Sequence, residues 1–459
     1  MSKSGDKFLS DSKSIAFNID HRKKIRFNIG KYNTAVEKGK QRYLDQELAK
    51  RRAGKIKRDT LNQLPELLEL FENSITNRGA EVFWASTTKD VLNKINEIVQ
   101  SEDIKSVVKS KSMTTEEIDL NEFLNQLNVE PYETDLGEFI VQLEGEKPYH
   151  IVTPAMHKSK EDIDQLFHRK FKTRLDSTPE ELTLFVRNYL REKFCSSELG
   201  VTGANFLIAD TGSIALTENE GNGILSVSFP RIHIVIAGIE KVIPSIKQLG
   251  LFWPLLSASG TGQQITVYNS IISGPKQSGE IDGPEKMYVI LLDNGRSNLY
   301  GTEKLYEGLS CIRCGACLNA CPVYKNIGGY TYASTYSGPI GSIITPHFKG
   351  MKEFKHLSFA SSLCGACTEV CPVKIPIHEL LLENRNLSVS QNLVPKKEKF
   401  IISVITKTLS NSKLIDLVNG KMKNIMMKGF VNKLIGNKRM LSDFPKNSFR
   451  QDWQKIKRK

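Results

Sequence analysis

The sequence predicts an α/β domain built on a largely parallel sheet, followed by a mainly helical region organised around two cysteine clusters. Two observations carry this reading. Short apolar runs alternate with amphipathic helical stretches over about 230 residues, the pattern of parallel strands joined by helices. Seven of the eight cysteines then fall in two short segments beyond residue 300. The expected divisions are a basic helical segment at 1–60, the α/β domain at 61–300, the cysteine region at 301–385 and a basic helical tail at 386–459.

The elements follow in chain order. Residues 20–58 are rich in Lys, Arg, Glu and Ala and contain no proline, which predicts a helix. Arg22-Lys-Lys24, Arg51-Arg52 and Lys57-Arg58 give it a basic face. Pro65 suits a first helical turn and opens a short helix to Phe71. Residues 80–85 read as a strand, 88–100 as a helix with Val91, Ile95, Ile98 and Val99 on one face, and 106–109 as a strand. Thr114 and Glu117 form a capping box for a helix through Leu127. Thr178, Pro179 and Glu181 open a helix over 179–194. Residues 205–210, 214–217, 232–237 and 286–293 are strands, with Asp210-Thr-Gly-Ser213 as a tight turn between two of them. Helical periodicity returns at 400–409 and 413–417.

The first cysteine cluster reads Cys311-Ile-Arg-Cys314-Gly-Ala-Cys317-Leu-Asn-Ala-Cys321-Pro322, and the second Ser361-Ser-Leu-Cys364-Gly-Ala-Cys367-Thr-Glu-Val-Cys371-Pro372. Both fit C-x2-C-x2-C-x3-C-P, except that Ser361 stands at the second motif's first position. Three cysteines at i, i+3 and i+6 on a tightly curled loop reach three corners of one iron–sulfur cube. In bacterial-type ferredoxins the fourth ligates the other cluster. That wiring puts Cys311, Cys314, Cys317 and Cys371 on cluster one, and Cys321, Cys364 and Cys367 on cluster two. The expected cofactors are two 4Fe–4S clusters. Cluster two is either a three-iron cluster or a four-iron cluster whose last iron takes serine, water or another protein oxygen. A tetrahedral zinc site leaves a third cysteine unused. A thioredoxin-type Cys-Gly-Ala-Cys pair leaves Cys311, Cys321 and Cys371 unexplained. Cys195 is expected to be a buried, unliganded thiol. The 42 residues between Cys321 and Cys364 include Gly338-Pro-Ile-Gly341 and Pro346, which predicts that part of this insert is loop.

Net charge is +13, unevenly spread. Residues 1–58 carry 17 Lys and Arg against 6 Asp and Glu, and residues 395–459 carry 17 against 4, so an acidic body lies between two basic ends. Such ends suit an acidic protein partner or an anionic membrane surface, and solvated faces of amphipathic helices explain them equally. Nucleic acid fits less well, since the tail has no aromatic interleaving or helix-turn-helix pattern. No apolar stretch approaches membrane-spanning length, and Met1–Ser14 lacks the apolar core of a leader, so the expected location is cytoplasmic, with room for peripheral attachment to the inner membrane.

The α/β domain says less about chemistry. Asp210–Ser213 and Ser259-Gly-Thr-Gly262 are polar loops able to present backbone N–H groups to an anion, and plain turn chemistry explains them equally. Thr217-Glu218-Asn219 loosely resembles the segment that carries the catalytic glutamate of CoA-transferases, but Glu220 interrupts it before Gly221, and a surface glutamate after a strand explains Glu218 better. His233 alternates with Ile232 and Ile234 on a strand, either lining a pocket or serving the core. No Gly-x-Gly-x-x-Gly follows a strand, so a nicotinamide or flavin site is not supported.

Gly203-Ala-Asn205, Ala209-Asp-Thr-Gly-Ser213 and Glu220-Gly-Asn222 resemble the LUD domain of lactate-utilisation proteins. Followed by the first cysteine motif through Tyr324, then Gly338–Gly341, then Cys364–Pro372, the order is similar to the lactate-utilisation iron–sulfur protein B family. The resemblance implies the sugar-phosphate isomerase and CoA-transferase-like superfamily for the α/β domain. It also implies a part in oxidising L-lactate to pyruvate beside two partner subunits, and that serine at position 361 is usual. Because iron–sulfur clusters take one electron each, an electron-transfer role fits better than direct oxidation of substrate. The competing readings are the same module serving another 2-hydroxy acid such as glycolate, and a CoA-dependent acyltransferase with structural clusters.

Overall fold

The protein is described by a computed structural model covering residues 2–426, 428–429 and 442–457. The remaining tail positions, 430–441 and 458–459 chief among them, lie outside the described residues. Residues 1–388 make one compact unit and residues 389–459 a second.

Ten strands occur among the described residues: β1 (Glu81–Ala85), β2 (Ser106–Lys109), β3 (Glu130–Glu133), β4 (Leu199–Thr202), β5 (Phe206–Ile208), β6 (Ser213–Glu218), β7 (Ile232–Gly238), β8 (Val242–Ile243), β9 (Tyr268–Ile272) and β10 (Lys286–Leu292). Six form a sheet in the order β1-β10-β7-β4-β2-β3, parallel at every step. The alternation seen in the sequence has its cause here: both faces of the sheet are covered, so the central strands are mostly apolar on both sides. Ile232, Ile234 and Ile236 of β7 pack with Val91, Ile95, Ile98 and Val99 of helix Thr88–Ser101. Val235 and Ala237 face the other core.

A second sheet, in the order β8-β5-β6-β9, takes the strands expected at 205–210 and 214–217. Asp210–Ser213 turns too tightly to allow a crossover, so β5 and β6 pair antiparallel. Gly212 adopts φ +58°, and a Cβ there would lie 2.3 Å from the backbone nitrogen of Ile75. The turn is packed against helix Leu64–Thr76, which supports turn chemistry over an anion loop.

Several expected elements change on inspection. The helix over 20–58 is two helices, Ile19–Lys40 and Gln46–Asn62, because Asp45 caps a new start by accepting from Leu48 N–H. Lys57 leaves the basic face and is fully buried. The helix over 114–127 divides into Met113–Glu117, capped by Ser112, and Leu120–Gln126, with Asp119 left-handed between them. Thr178 and Glu181 do form their reciprocal capping box on helix Pro179–Ser196. Ser259–Thr261 ends helix Leu249–Thr261 rather than forming a loop, and Gly262 supplies its left-handed cap. Gly338–Gly341 and Pro346 belong to helix Gly338–Phe348, not to a loop. Pro339 fits its first turn. Pro346 has no N–H for the Ser342 carbonyl, and Ser358 Oγ donates to that carbonyl at 2.7 Å instead.

The second unit contains helices Lys396–Leu409, Ser412–Asp416, Gly420–Met426 and Phe449–Lys457. No described helix is long and apolar enough to cross a membrane.

Candidate iron–sulfur centre

The two cysteine motifs fold into two copies of one loop. Arg313 and Gly315 are left-handed in the first (φ +60° and +79°), Leu363 and Gly365 in the second (φ +54° and +83°). Each copy then enters a short helix, Ala316–Ala320 or Ala366–Glu369. The curl turns backbone N–H groups toward the side chain at the motif's first position. Arg313 N–H donates to Cys311 Sγ at 3.4 Å, and Leu363 N–H donates to Ser361 Oγ at 3.1 Å. Tyr324 N–H reaches Cys321 Sγ at 3.5 Å, and Ile375 N–H reaches Cys371 Sγ at 3.4 Å.

All eight cysteines are free thiols. Seven gather in two neighbourhoods. Cys311, Cys314, Cys317 and Cys371 lie within electrostatic reach of one another, and so do Cys321, Cys364 and Cys367. Burial first, then neighbouring thiols, pushes Cys314 and Cys317 well up. Burial also raises Cys371 and Cys367, each to about 11. Thiols so placed hold negative charge only when a cation neutralises them, and iron does this. Four thiols in one neighbourhood and three in the other, each on a loop with N–H groups turned to sulfur, fit iron–sulfur clusters. Cys364 is exposed, and the Ala366 backbone N–H lowers its thiol. The eighth thiol, Cys195, is exposed rather than buried, because Phe194 takes the core position on the last turn of its helix.

Sequence reading missed the charges around the first neighbourhood. Arg296, fully buried, donates to Glu117 at 2.8 and 3.0 Å and to Glu240 at 2.6 Å. Glu240 also accepts from Arg313 at 3.2 Å, and Tyr336 O–H donates to Glu117 at 2.6 Å. The Arg313 guanidinium lies over the Tyr336 ring, 4.5 Å from its centre. Lys57 Nζ donates to the Glu240 and Val242 carbonyls at 2.7 and 3.3 Å. Burial alone would raise the Glu240 carboxyl, but Arg296 and Arg313 hold it down at about 2. Burial lowers Lys57 and Lys241 to about 8, so both remain cations at neutral pH, within reach of Cys311. No local motif announces this network; its members come from six separate segments.

A cleft of about 610 Å³ lies against the first loop. Arg313 and Cys314 line one side; Lys111, Asp135 and Asn205 line another. These last three follow β2, β3 and β4, the carboxyl edge at which open parallel sheets bind ligands. Burial, then Asp135, raises the Glu220 carboxyl in this cleft to about 7. Glu218 lines it too, but its carboxylate accepts from Gly223 N–H at 2.7 Å and Ile224 N–H at 2.9 Å and so caps helix Asn222–Ser228. His233 is fully buried and pairs with Thr202 at 2.9 Å, a core role.

Residues 68–292 match the LUD domain family, and residues 307–375 match the 4Fe-4S dicluster domain family. The chain is thus a LUD domain joined to a ferredoxin-type domain that carries iron–sulfur clusters. A "Lactate utilization protein B" of Bacillus velezensis is 45% identical over 76% of this chain and 73% of its own length. Another of the same name, from Bacillus cytotoxicus, is 41% identical over 88% of this chain and 87% of its own. A third, from a Geobacillus strain, is 43% identical over 79% and 76%. The chain belongs to this lactate utilization protein B family.

Proposed function

We propose that this protein is the iron–sulfur electron-transfer subunit of a complex that oxidises L-lactate to pyruvate. One observation carries the electron-transfer part: seven thiols stand in two neighbourhoods, one meeting a cleft at Cys314 and the other reaching the surface at Cys364. In this reading Cys311, Cys314, Cys317 and Cys371 hold cluster one. Cys321, Cys364 and Cys367 hold cluster two, whose fourth position falls to Ser361, water or no iron at all. The clusters supply one-electron carriage. The protein supplies the rest. Lys57, Lys241 and Arg313 set positive charge beside Cys311, and N–H donors from Arg313, Tyr324 and Ile375 stabilise the thiolates. Cys317 and Cys371 are buried, whereas Cys311 and Cys314 are half-buried, Cys314 at the cleft. Electrons then pass between the cleft side and the exposed side.

Lactate comes from the names of the relatives. In this reading another subunit performs the two-electron chemistry, the complex is cytoplasmic, and the basic ends dock it to an acidic partner or an anionic membrane face. The test is anaerobic addition of lactate, then glycolate, to the complex purified with its partners, while EPR follows both clusters. Reduction by lactate supports the proposal. Turnover of lactate with both clusters left oxidised refutes it, and a response to glycolate alone changes the substrate.

A further inference from the structure

The tail unit leaves much of its apolar surface uncovered. In helix Lys396–Leu409, Phe400, Ile401, Ile402, Val404, Ile405 and Leu409 are all exposed, Phe400 at 71%. At 3.6 residues per turn they make one broad face, which Glu398 and Thr408 share, while Lys396, Lys399, Ser403, Thr406 and Lys407 occupy the other side. Helix Phe449–Lys457 repeats the plan. Phe449, Trp453 and Ile456 follow at steps of four and three, all exposed, with the two rings stacked 6.0 Å apart. Arg450, Lys455 and Lys457 stand off that stripe.

Charge and shape together select the partner. Across residues 395–459 cations outnumber anions 17 to 4, so the partner is anionic. An acidic protein matches the lysines but must also offer a fitted groove to each apolar face. A lipid interface asks for no fitted shape. It takes aliphatic and aromatic side chains into the acyl boundary and leaves lysines among the head groups. Tryptophan favours that boundary as well. Neither helix is long and apolar enough to span, which leaves a helix lying in the surface.

We propose that the tail unit is an interfacial anchor for anionic lipid, with Phe400–Leu409 and the Phe449-Trp453-Ile456 stripe buried at the membrane surface. This deepens the docking part of the reading above and rests on it. Two weak signals, apolar insertion and basic charge, combine into one attachment that salt loosens.

The test is flotation of the full-length, cluster-loaded chain with vesicles of phosphatidylcholine alone or mixed with phosphatidylglycerol. The expected result is co-flotation with the mixed vesicles only. Replacing Phe400→Ser together with Ile405→Ser lowers the bound fraction about tenfold. Replacing Lys399→Glu together with Lys407→Glu lowers it more than about tenfold, each lost cation being worth roughly fivefold. Phe400, Ile405 and Lys407 are exposed, Lys399 is half-buried with its ammonium on Asn392 Oδ1 at 2.8 Å, and an unchanged cluster absorbance verifies the fold. Absence of flotation overturns the proposal, as does equal binding to both vesicle types or binding that neither double variant alters. Release of a co-purifying acidic protein by the Phe400→Ser, Ile405→Ser variant, with no vesicle binding by the parent, also overturns it and assigns the face to protein. EPR of the clusters is read on the same samples, so failure of the anchor is distinct from failure of the electron carrier.

Discussion

Ser361 and Cys311 hold the same place in two copies of one loop: Leu363 N–H donates to Ser361 Oγ at 3.1 Å as Arg313 N–H donates to Cys311 Sγ at 3.4 Å. The backbone of the second copy is already shaped for a thiolate at its first position. Ser361→Cys is therefore expected to complete cluster two without rearranging the loop. Wild-type protein exposed to air should develop a three-iron EPR signal, and the variant should not. Equal air sensitivity in both would show that Ser361 has no bearing on the last iron.

Lys57 places a buried cation within reach of Cys311. A reduced cluster is more negative than an oxidised one, so a nearby cation favours reduction. Lys57→Met should lower the potential of cluster one, by an amount on the order of 50 mV, and leave cluster two in place. A potentiometric titration followed by EPR reads both. An unchanged potential would mean that water or protein dipoles already screen Lys57.

Helix Leu249–Thr261 meets the first cysteine loop at Gly260. A Cβ on Gly260 would lie 2.5 Å from the Cys314 carbonyl oxygen, a backbone atom with little room to yield. Gly260→Val is expected to cost about 1–3 kcal/mol by overpacking and to displace that loop. Iron per protein should fall through loss of cluster one, while the EPR signal of cluster two persists.

Burial holds His233 neutral, its pKa lowered from 6.5 to about 3. The unfolded chain binds a proton there below pH 6.5 and the folded chain does not. This stabilisation is whole above pH 6.5 and is lost as pH falls toward about 3. Between pH 6.5 and 5.5 the loss approaches about 1 kcal/mol. Denaturant unfolding at the two pH values should show a shallower pH dependence for His233→Asn than for wild type.

The parts of this fold legible in the sequence are those whose cause is local. The curl of the cysteine loops, the Thr178–Glu181 capping box and the Asp210–Ser213 turn each depend on a few adjacent residues, and each of these local shapes forms. Interactions between distant segments were not legible. Pro346 reads as a helix breaker until Ser358, twelve residues on, is seen to bond the carbonyl it leaves free. Ser259–Gly262 reads as a loop because glycine is a poor helix former, yet close approach to Cys314 makes glycine necessary at 260. Glu117, Glu240 and Arg296 carry no motif, and only folding brings them together beside Arg313.

The central claim is a pair of clusters with crossed ligands, and one substitution separates it from its alternative. Cys321 belongs to the first motif in sequence but to the neighbourhood of Cys364 and Cys367 in space. EPR of the anaerobically reduced, full-length Cys321→Ser variant, set beside Cys314→Ser, tests the crossing directly. The account predicts that Cys321→Ser alters or removes the cluster with the serine gap and spares the cluster that Cys314→Ser removes. Loss of the same cluster in both variants would contradict it.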